Sequence, residues 1–276
     1  MMARRPGFPV RLNLPEIPTS TSAKVKLGGA PNFSSRSSSE SLSARQPQAP
    51  LAAPMAYEAL RARMVQRLQA QGIRDPRVLR AMEAVERHRF VDSALVSQAY
   101  EDTSLPIGLG QTISKPNVVA RMIELLLAAP ALAGPSATGD EKLGRVLEIG
   151  TGCGYQAAVL GRVAAEVYSI ERLRGLHERA RVNLRPFRLT TVHLMLGDGM
   201  PGYASGAPYA GIIAAAGGEL VPQAWVEQLA VGGRIVAPTR SADGGQALVV
   251  IDRGRSGVER RVLEAVHFVP LKSGIA

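Results

Sequence analysis

The sequence predicts an α/β protein built on a doubly wound, mostly parallel sheet of seven strands, with an antiparallel strand at its C-terminal edge. Three observations point there. Residues 145–156 read R-V-L-E-I-G-T-G-C-G-Y-Q, a short apolar run with an acid in it, then three glycines on alternate positions, then helix-forming residues. From that stretch onward, apolar runs of strand length alternate with helical stretches as far as residue 238, the pattern of repeated β-α units. Two further apolar runs, at 246–252 and 261–271, follow without an intervening helix, so the last pair is expected to form an antiparallel hairpin at the sheet edge.

Residues 1–54 combine prolines with the run S-S-R-S-S-S-E-S-L-S and carry few bulky apolar side chains, a composition that buries too little surface to order itself. They are expected to be a disordered basic tail ahead of a single domain over residues 55–276. The tail holds seven basic side chains against Glu16 and Glu40, half of the formal charge of +10. The rest of the chain is therefore only mildly basic, and the charge does not by itself argue for nucleic acid. Arg4–Arg5 resembles the start of an export signal, but no apolar run follows it, so a cytoplasmic protein is expected. Cys153 is the single cysteine, which excludes an internal disulfide and suits a reducing compartment. The four histidines have no short-range ligand spacing, so no metal site is expected.

The domain divides into a helical and substrate-loop subregion, 55–129, and a ligand-binding sheet with C-terminal strands, 144–276. Apolar residues at 57, 60, 64, 65 and 68 make a helical stripe that stops at Gly72. Asp75–Pro76 opens a second helix running to about Glu86, with an N-cap and a proline in the first turn. Residues 100–116 (Y-E-D-T-S-L-P-I-G-L-G-Q-T-I-S-K-P) are too polar and glycine-rich for core. Asn117 to Ala129 is a third helix with Val118, Val119, Met122, Leu125 and Leu126 on its apolar side, and 130–143 is a flexible connection. Strands follow at 146–149, 165–171, 192–196 and 211–216, with helices from Tyr155, over 173–184 and over 222–231; 233–238 is the fifth strand.

In such a sheet, ligands bind beyond the carboxyl ends of the strands. Gly150, Gly152 and Gly154 let bare backbone approach a ligand, and the helix that begins at Tyr155 offers free N–H groups to a polar or anionic group. A dinucleotide fingerprint needs glycines at its first, third and sixth positions; here they fall at the first, third and fifth, which weakens a hydride-transfer reading. Glu148 precedes the loop. Glu171 ends the next strand, where a carboxylate can accept both hydroxyls of a ribose, and Asp198 ends the third strand between Gly197 and Gly199. Two acids ending strands beside a glycine loop point to a nucleoside ligand. Upstream, Gln111, Thr112 and Ser114 offer neutral hydrogen-bonding groups with no general base near them in sequence, so an activated serine nucleophile is poorly supported. A hydroxyl there suits hydrogen bonding to a substrate carboxylate, and Ser114 could equally cap the helix that starts at Pro116.

The stretch L-P-I-G-L-G-Q-T-I-S-K-P-N-V-V-A-R-M-I-E-L-L, followed by V-L-E-I-G-T-G-C-G-Y-Q, closely resembles the protein-L-isoaspartate O-methyltransferases. The likeness runs from about Arg63 to Lys272 through I-R-D-P-R-V-L-R-A-M, R-H-R-F-V-D and the terminal H-F-V-P-L. It implies a Rossmann-like class I methyltransferase that uses S-adenosylmethionine, releases S-adenosyl-L-homocysteine and needs no metal. It further implies methylation of the α-carboxyl group of L-isoaspartyl residues in damaged proteins and peptides, leading through a succinimide to normal aspartate. By motif, Ser114 matches the family's active-site serine. Glu148, Gly150, Thr151, Gly152, Gly154, Tyr155, Glu171 and Arg172 match cofactor contacts, and Gly197, Asp198 and Gly199 the adenine contact. Gln111, Thr112 and Ile113 would shape the substrate mouth, with Val269 and Pro270 along the bound peptide. A monomer acting without nucleic acid or membrane is expected.

The chain departs from the family pattern at Ala210, where an acid is usual, in the run A-A-A-G at 214–217, and at Gly218–Glu219. These changes are expected to touch cofactor-side packing or substrate access. They keep open an S-adenosylmethionine enzyme with another acceptor, or a catalytically weak member.

Overall fold

The computed structural model describes residues 54–130 and 141–276. The expected tail and most of the expected flexible connection lie outside the described residues. The elements, in order, are α1 (Pro54–Ala70), α2 (Pro76–Ala84), β1 (Leu105–Gly108), β2 (Gln111–Ile113), α3 (Pro116–Leu127), β3 (Leu143–Ile149), α4 (Tyr155–Val163), β4 (Ala164–Glu171), α5 (Arg174–Leu184), β5 (Val192–Leu196), β6 (Tyr209–Ala214), α6 (Gln223–Gln228), β7 (Leu229–Arg240), β8 (Gln246–Arg253) and β9 (Val258–Val266).

Seven strands form one sheet in the order β5-β4-β3-β6-β7-β8-β9. The pairs from β5 through β7 are parallel, and β8 runs antiparallel to both β7 and β9. The antiparallel part is thus a three-strand meander rather than one edge hairpin. The sheet is buried on both faces, which is why its central strands read as unbroken apolar runs. Successive residues split between two cores. Val146, Ile213 and Val236 face α1–α5, while Leu147, Ile212 and Ile235 face a second core closed by Trp225 of α6 and by Tyr209.

Three boundaries differ from the sequence expectation. Residues 105–113 form a small antiparallel hairpin, whose turn is made by Gly108, Leu109 and Gly110, all with positive φ. Helix α6 is a single short stretch, and β7 starts at Leu229 directly after it. The last strand ends at Val266, so H-F-V-P-L is not strand in this sheet. Val269–Leu271 pair instead with the main chain of Gly217, through Gly217 N–H to Val269 O at 2.8 Å and Leu271 N–H to Gly217 O at 2.8 Å. Gly217 has a steric reason as well, because a Cβ there would lie 2.5 Å from Gln246 Nε2.

Helix α3, which carries the chain away from Ser114, is fixed at both ends by distant groups. Asp102 Oδ1 accepts from Asn117 N–H at 3.0 Å, and Arg234 of β7 donates to Leu125 O at 2.8 Å. Arg234 is itself held by a bidentate contact with buried Asp252, which also accepts from Arg261. Burial alone would raise the Asp252 carboxyl, but the hydrogen bonds and charge of the two guanidiniums overcome it and hold the group below its ordinary value.

Candidate active site

The strand order reverses direction of growth at β3, with β4 on one side and β6 on the other, which opens a crevice beyond their carboxyl ends. Residues 150–154 fill its floor. Gly150, Gly152 and Gly154 have φ of 91°, 57° and 93°, the left-handed region that strains any residue with a Cβ. The loop is folded onto the end of β4. Gly150 N–H and Thr151 N–H both donate to Ile170 O, at 2.9 and 3.2 Å, and Gly152 N–H donates to Glu171 Oε2 at 2.8 Å. Asn183 of α5 donates to Cys153 O at 2.9 Å.

A cavity of about 450 Å³ lies over this loop. Its wall brings together residues far apart in sequence: Gln111, Thr112, Ile113 and Ser114 from β2 and the turn after it, Gly150, Thr151 and Gly152 from the loop and Tyr155 at the start of α4, Glu171 and Arg172 at the end of β4, Gly199, and Val269 and Pro270. Four expected residues are not on the wall. Gly154 packs toward Leu184, with a Cβ there only 3.1 Å from Leu184 Cδ1. Gly197 N–H bonds to Glu171 O, and Asp198 uses its two oxygens to accept from Met200 N–H and Gly274 N–H, at 2.8 and 2.7 Å. Asp198 therefore shapes the turn, which Trp225 Nε1–H also grips by donating to Gly199 O at 2.9 Å.

Glu148 is the fourth. It is fully buried behind the loop, where Ser169 Oγ donates to its Oε2 at 2.5 Å and Thr151 Oγ1 lies 2.6 Å from Ser169 Oγ. Burial pushes its carboxyl from an ordinary 4.5 up to about 8, against the lowering effect of the Ser169 bond. At neutral pH the group is thus protonated in the folded chain and ionised in the unfolded one. The folded state binds the extra proton between about pH 4.5 and 8, so stability should fall as pH rises through that window. Glu148→Gln should remove this fall: melting temperatures of the two proteins should diverge from pH 5 to pH 8 in favour of the variant. Parallel pH profiles would contradict it.

Ser114 does not cap α3. The cap position is Lys115, with no side-chain cap bond, and Asp102 serves the first amide instead. The Ser114 hydroxyl has no protein partner among the described residues and borders the cavity, while its carbonyl accepts from Arg87 Nη2 at 2.7 Å. Arg87 is wholly buried, also donates to Ala99 O at 2.8 Å, and has its guanidinium carbon 4.7 Å from the centre of the Tyr155 ring. It lies in the stretch R-H-R-F-V-D, but nothing local in that stretch shows that its guanidinium reaches Ser114.

The wall suits a nucleoside-bearing ligand with a cationic centre. Glu171 gives the wall an acidic side chain, and Gln156, itself buried, borders the same cavity. Gly150 and Gly152 leave room that side chains would fill, since a Cβ on Gly152 would lie 3.3 Å from Ile107 Cδ1. No general base adjoins Ser114 on the wall. Burial raises both Tyr155, to about 12, and the Cys153 thiol, so neither ionises near neutral pH. Among the described residues no group of His, Cys, Asp and Glu side chains could hold a metal ion. Ala215 and Ala216 of the departing run also lie on the wall, together with Gln156 and Lys272, to which the sequence assigned no role.

The profile of the protein-L-isoaspartate(D-aspartate) O-methyltransferase family matches residues 59–276. A protein-L-isoaspartate O-methyltransferase of Methylibium petroleiphilum is 62% identical over 218 residues, 78% of either chain. A solved structure of a protein-L-isoaspartate O-methyltransferase superposes with a TM-score of 0.67 at 27% identity, covering 78% of this chain and 67% of the other. A second, from Plasmodium falciparum and described as a putative member in complex with S-adenosyl-L-homocysteine, shares the fold at 21% identity and a TM-score of 0.65, over 77% of this chain and 98% of its own. Fold, cavity chemistry and relatives agree: the chain belongs to the protein-L-isoaspartate(D-aspartate) O-methyltransferase family, whose members repair proteins by methylating isoaspartyl carboxyl groups with S-adenosylmethionine.

Proposed function

We propose that the cavity above the glycine loop performs this methyl transfer with Ser114 as the residue that holds the acceptor. The observation that carries the assignment is the unpartnered Ser114 hydroxyl on the same cavity wall as Glu171 and the glycine loop. S-adenosylmethionine, when bound, supplies an electrophilic methyl group on a sulfonium whose sulfur leaves as the neutral thioether. Gly150, Thr151, Gly152, Tyr155, Glu171, Arg172 and Gly199 are the residues that would hold it, with Glu171 accepting ribose hydroxyls. Glu148, Gly154, Gly197 and Asp198 support that set from behind.

The acceptor is an α-carboxylate, already ionised at neutral pH, so the reaction needs alignment and partial desolvation more than proton removal. A serine hydroxyl meets that need, because it donates one hydrogen bond that orients the carboxylate and removes no proton. Gln111, Thr112 and Ile113 shape the acceptor side, and Val269 and Pro270 border the peptide. The altered stretch at 214–219 does not argue for another acceptor, since Ala215 and Ala216 are small wall residues and Gly217 and Gly218 act through their main chains. Action as a monomer in the cytoplasm, without nucleic acid, completes the reading. No described helix is long and apolar enough to cross a membrane.

Ser114→Ala should lower kcat on an isoaspartyl peptide by roughly 10- to 100-fold, the range for losing a transition-state hydrogen bond to a charged group, while leaving S-adenosylmethionine affinity within about two-fold. The assay is radiolabelled methyl transfer to isoaspartyl and aspartyl versions of one peptide. Unchanged turnover, or equal use of both peptides, would overturn the assignment.

A further inference from the structure

A second cavity, of about 340 Å³, adjoins the first and shares Thr112, Ser114, Ala215 and Val269 with it. It runs outward from Ser114 between the start of α3 and residues 265–269, the end of the edge strand β9 and the segment after it. No acidic side chain lines it. Its polar rim instead carries Lys115 and His267, both exposed. The Lys115 ammonium and the His267 ring make no hydrogen bond or ion pair among the described residues. The nearby acids are engaged elsewhere: Asp102 with Asn117 N–H, Glu101 with Arg67 and Glu264 with Arg121. The N-terminal turn of α3, twelve residues long, lies at the same rim and adds partial positive charge.

We propose that this chamber is a specificity subsite for an acidic side chain flanking the isoaspartyl residue, read by Lys115 and His267. The proposal rests on the methyl-transfer reading, because the chamber opens at Ser114. The residue before the isoaspartyl one lies about 3.8 Å away across its peptide bond, and the residue after it one bond further, because the chain there runs through the β-carbon; either side chain can reach the adjoining chamber. A carboxylate there meets a free ammonium, a ring N–H that His267 can offer in either protonation state, and no opposing acid. The enzyme would then favour damage sites that are locally acidic.

The test compares kcat/KM for isoaspartyl peptides that differ only by Glu or Gln at one or two positions on either side of the isoaspartyl residue. At low ionic strength the Glu peptide should be favoured by about 3- to 5-fold at one or more positions, the size expected for an exposed ion pair. Half-molar salt should shrink that ratio toward one. Lys115→Gln should reduce the ratio and Lys115→Glu should invert it, with His267→Gln adding a smaller reduction. The ratio is insensitive to any general loss of activity in a variant beside Ser114. Equal kcat/KM for Glu and Gln at every position, or a preference untouched by Lys115→Glu, would overturn the proposal alone. Failure to methylate any isoaspartyl peptide would overturn the methyl-transfer reading and the proposal with it.

Discussion

Replacing Arg87 by methionine is expected to destabilise the protein by about 2–4 kcal/mol, since the carbonyls of Ala99 and Ser114 lose their partner inside the core. For a domain of this size that corresponds to a fall in melting temperature of roughly 5–15 °C. The loss is not the full worth of two charge-assisted bonds, because the variant also escapes the cost of burying a cation. Methionine fills much of the volume but cannot donate, so the effect isolates the hydrogen bonds and the contact with the Tyr155 ring. Turnover should fall further than stability at a temperature where the variant is fully folded, because the Ser114 main chain loses its anchor. Arg87→Lys should rescue only part of either effect, since an ammonium cannot span both carbonyls and stack on Tyr155. Calorimetric scans alongside initial rates would decide it. A melting point within about 2 °C of the wild type would remove Arg87 from this role.

Much of the frame is legible in the sequence because it follows from periodicity. The glycine loop, the strands around it and the start of α4 at Tyr155 are local features, and the two-sided burial of β3, β6 and β7 shows directly as apolar runs. Features that depend on distant partners are not legible in that way. The amide at the start of α3 is capped by Asp102, 15 residues earlier, whereas a reading of neighbours offers Ser114. The run H-F-V-P-L has strand composition, yet its partner is the main chain of Gly217, which no side-chain pattern marks. The turn at 108–110 reads only as part of a polar, glycine-rich stretch, because its hairpin is held by three positive-φ residues, one of them Leu109. At the site itself the residue types are visible in the sequence and their layering is not. Glu148 lies one residue before the end of β3 and Asp198 two residues beyond the end of β5, and only the packing shows that their carboxyls support the wall from behind.

Glu171→Ala is the second large expected effect. Both oxygens of this carboxylate are used by main-chain amides, Oε2 by Gly152 N–H at 2.8 Å and Oε1 by Leu173 N–H at 2.9 Å. Each such bond to a charged group contributes about 1.5–3 kcal/mol, so the variant should lose both the set of the loop and the ribose acceptor. S-adenosylmethionine affinity should fall by at least ~100-fold, equivalent to about 3 kcal/mol. Glutamine is not a mild substitute here. Its amide has one acceptor and one donor end, and the donor would face an N–H of the backbone. Glu171→Gln should therefore bind almost as poorly as the alanine variant. Titration calorimetry of the three proteins against S-adenosylmethionine tests this, and near-native affinity in the glutamine variant would show that the carboxylate's charge and second acceptor are dispensable.

The self-contained bonding of residues 150–154 has a kinetic consequence. The amides of Gly150 and Thr151 are committed to Ile170, that of Gly152 to Glu171 and that of Gly154 to Thr151, the Thr151 hydroxyl to Ser169 and the Cys153 carbonyl to Asn183, all within the chain itself. Such a loop is preorganised: little conformational entropy remains to be lost when a ligand arrives, and no segment of it has to close first. Ligand capture should then be a single-exponential event whose observed rate rises linearly with ligand concentration, without the plateau that a slow ordering step would impose.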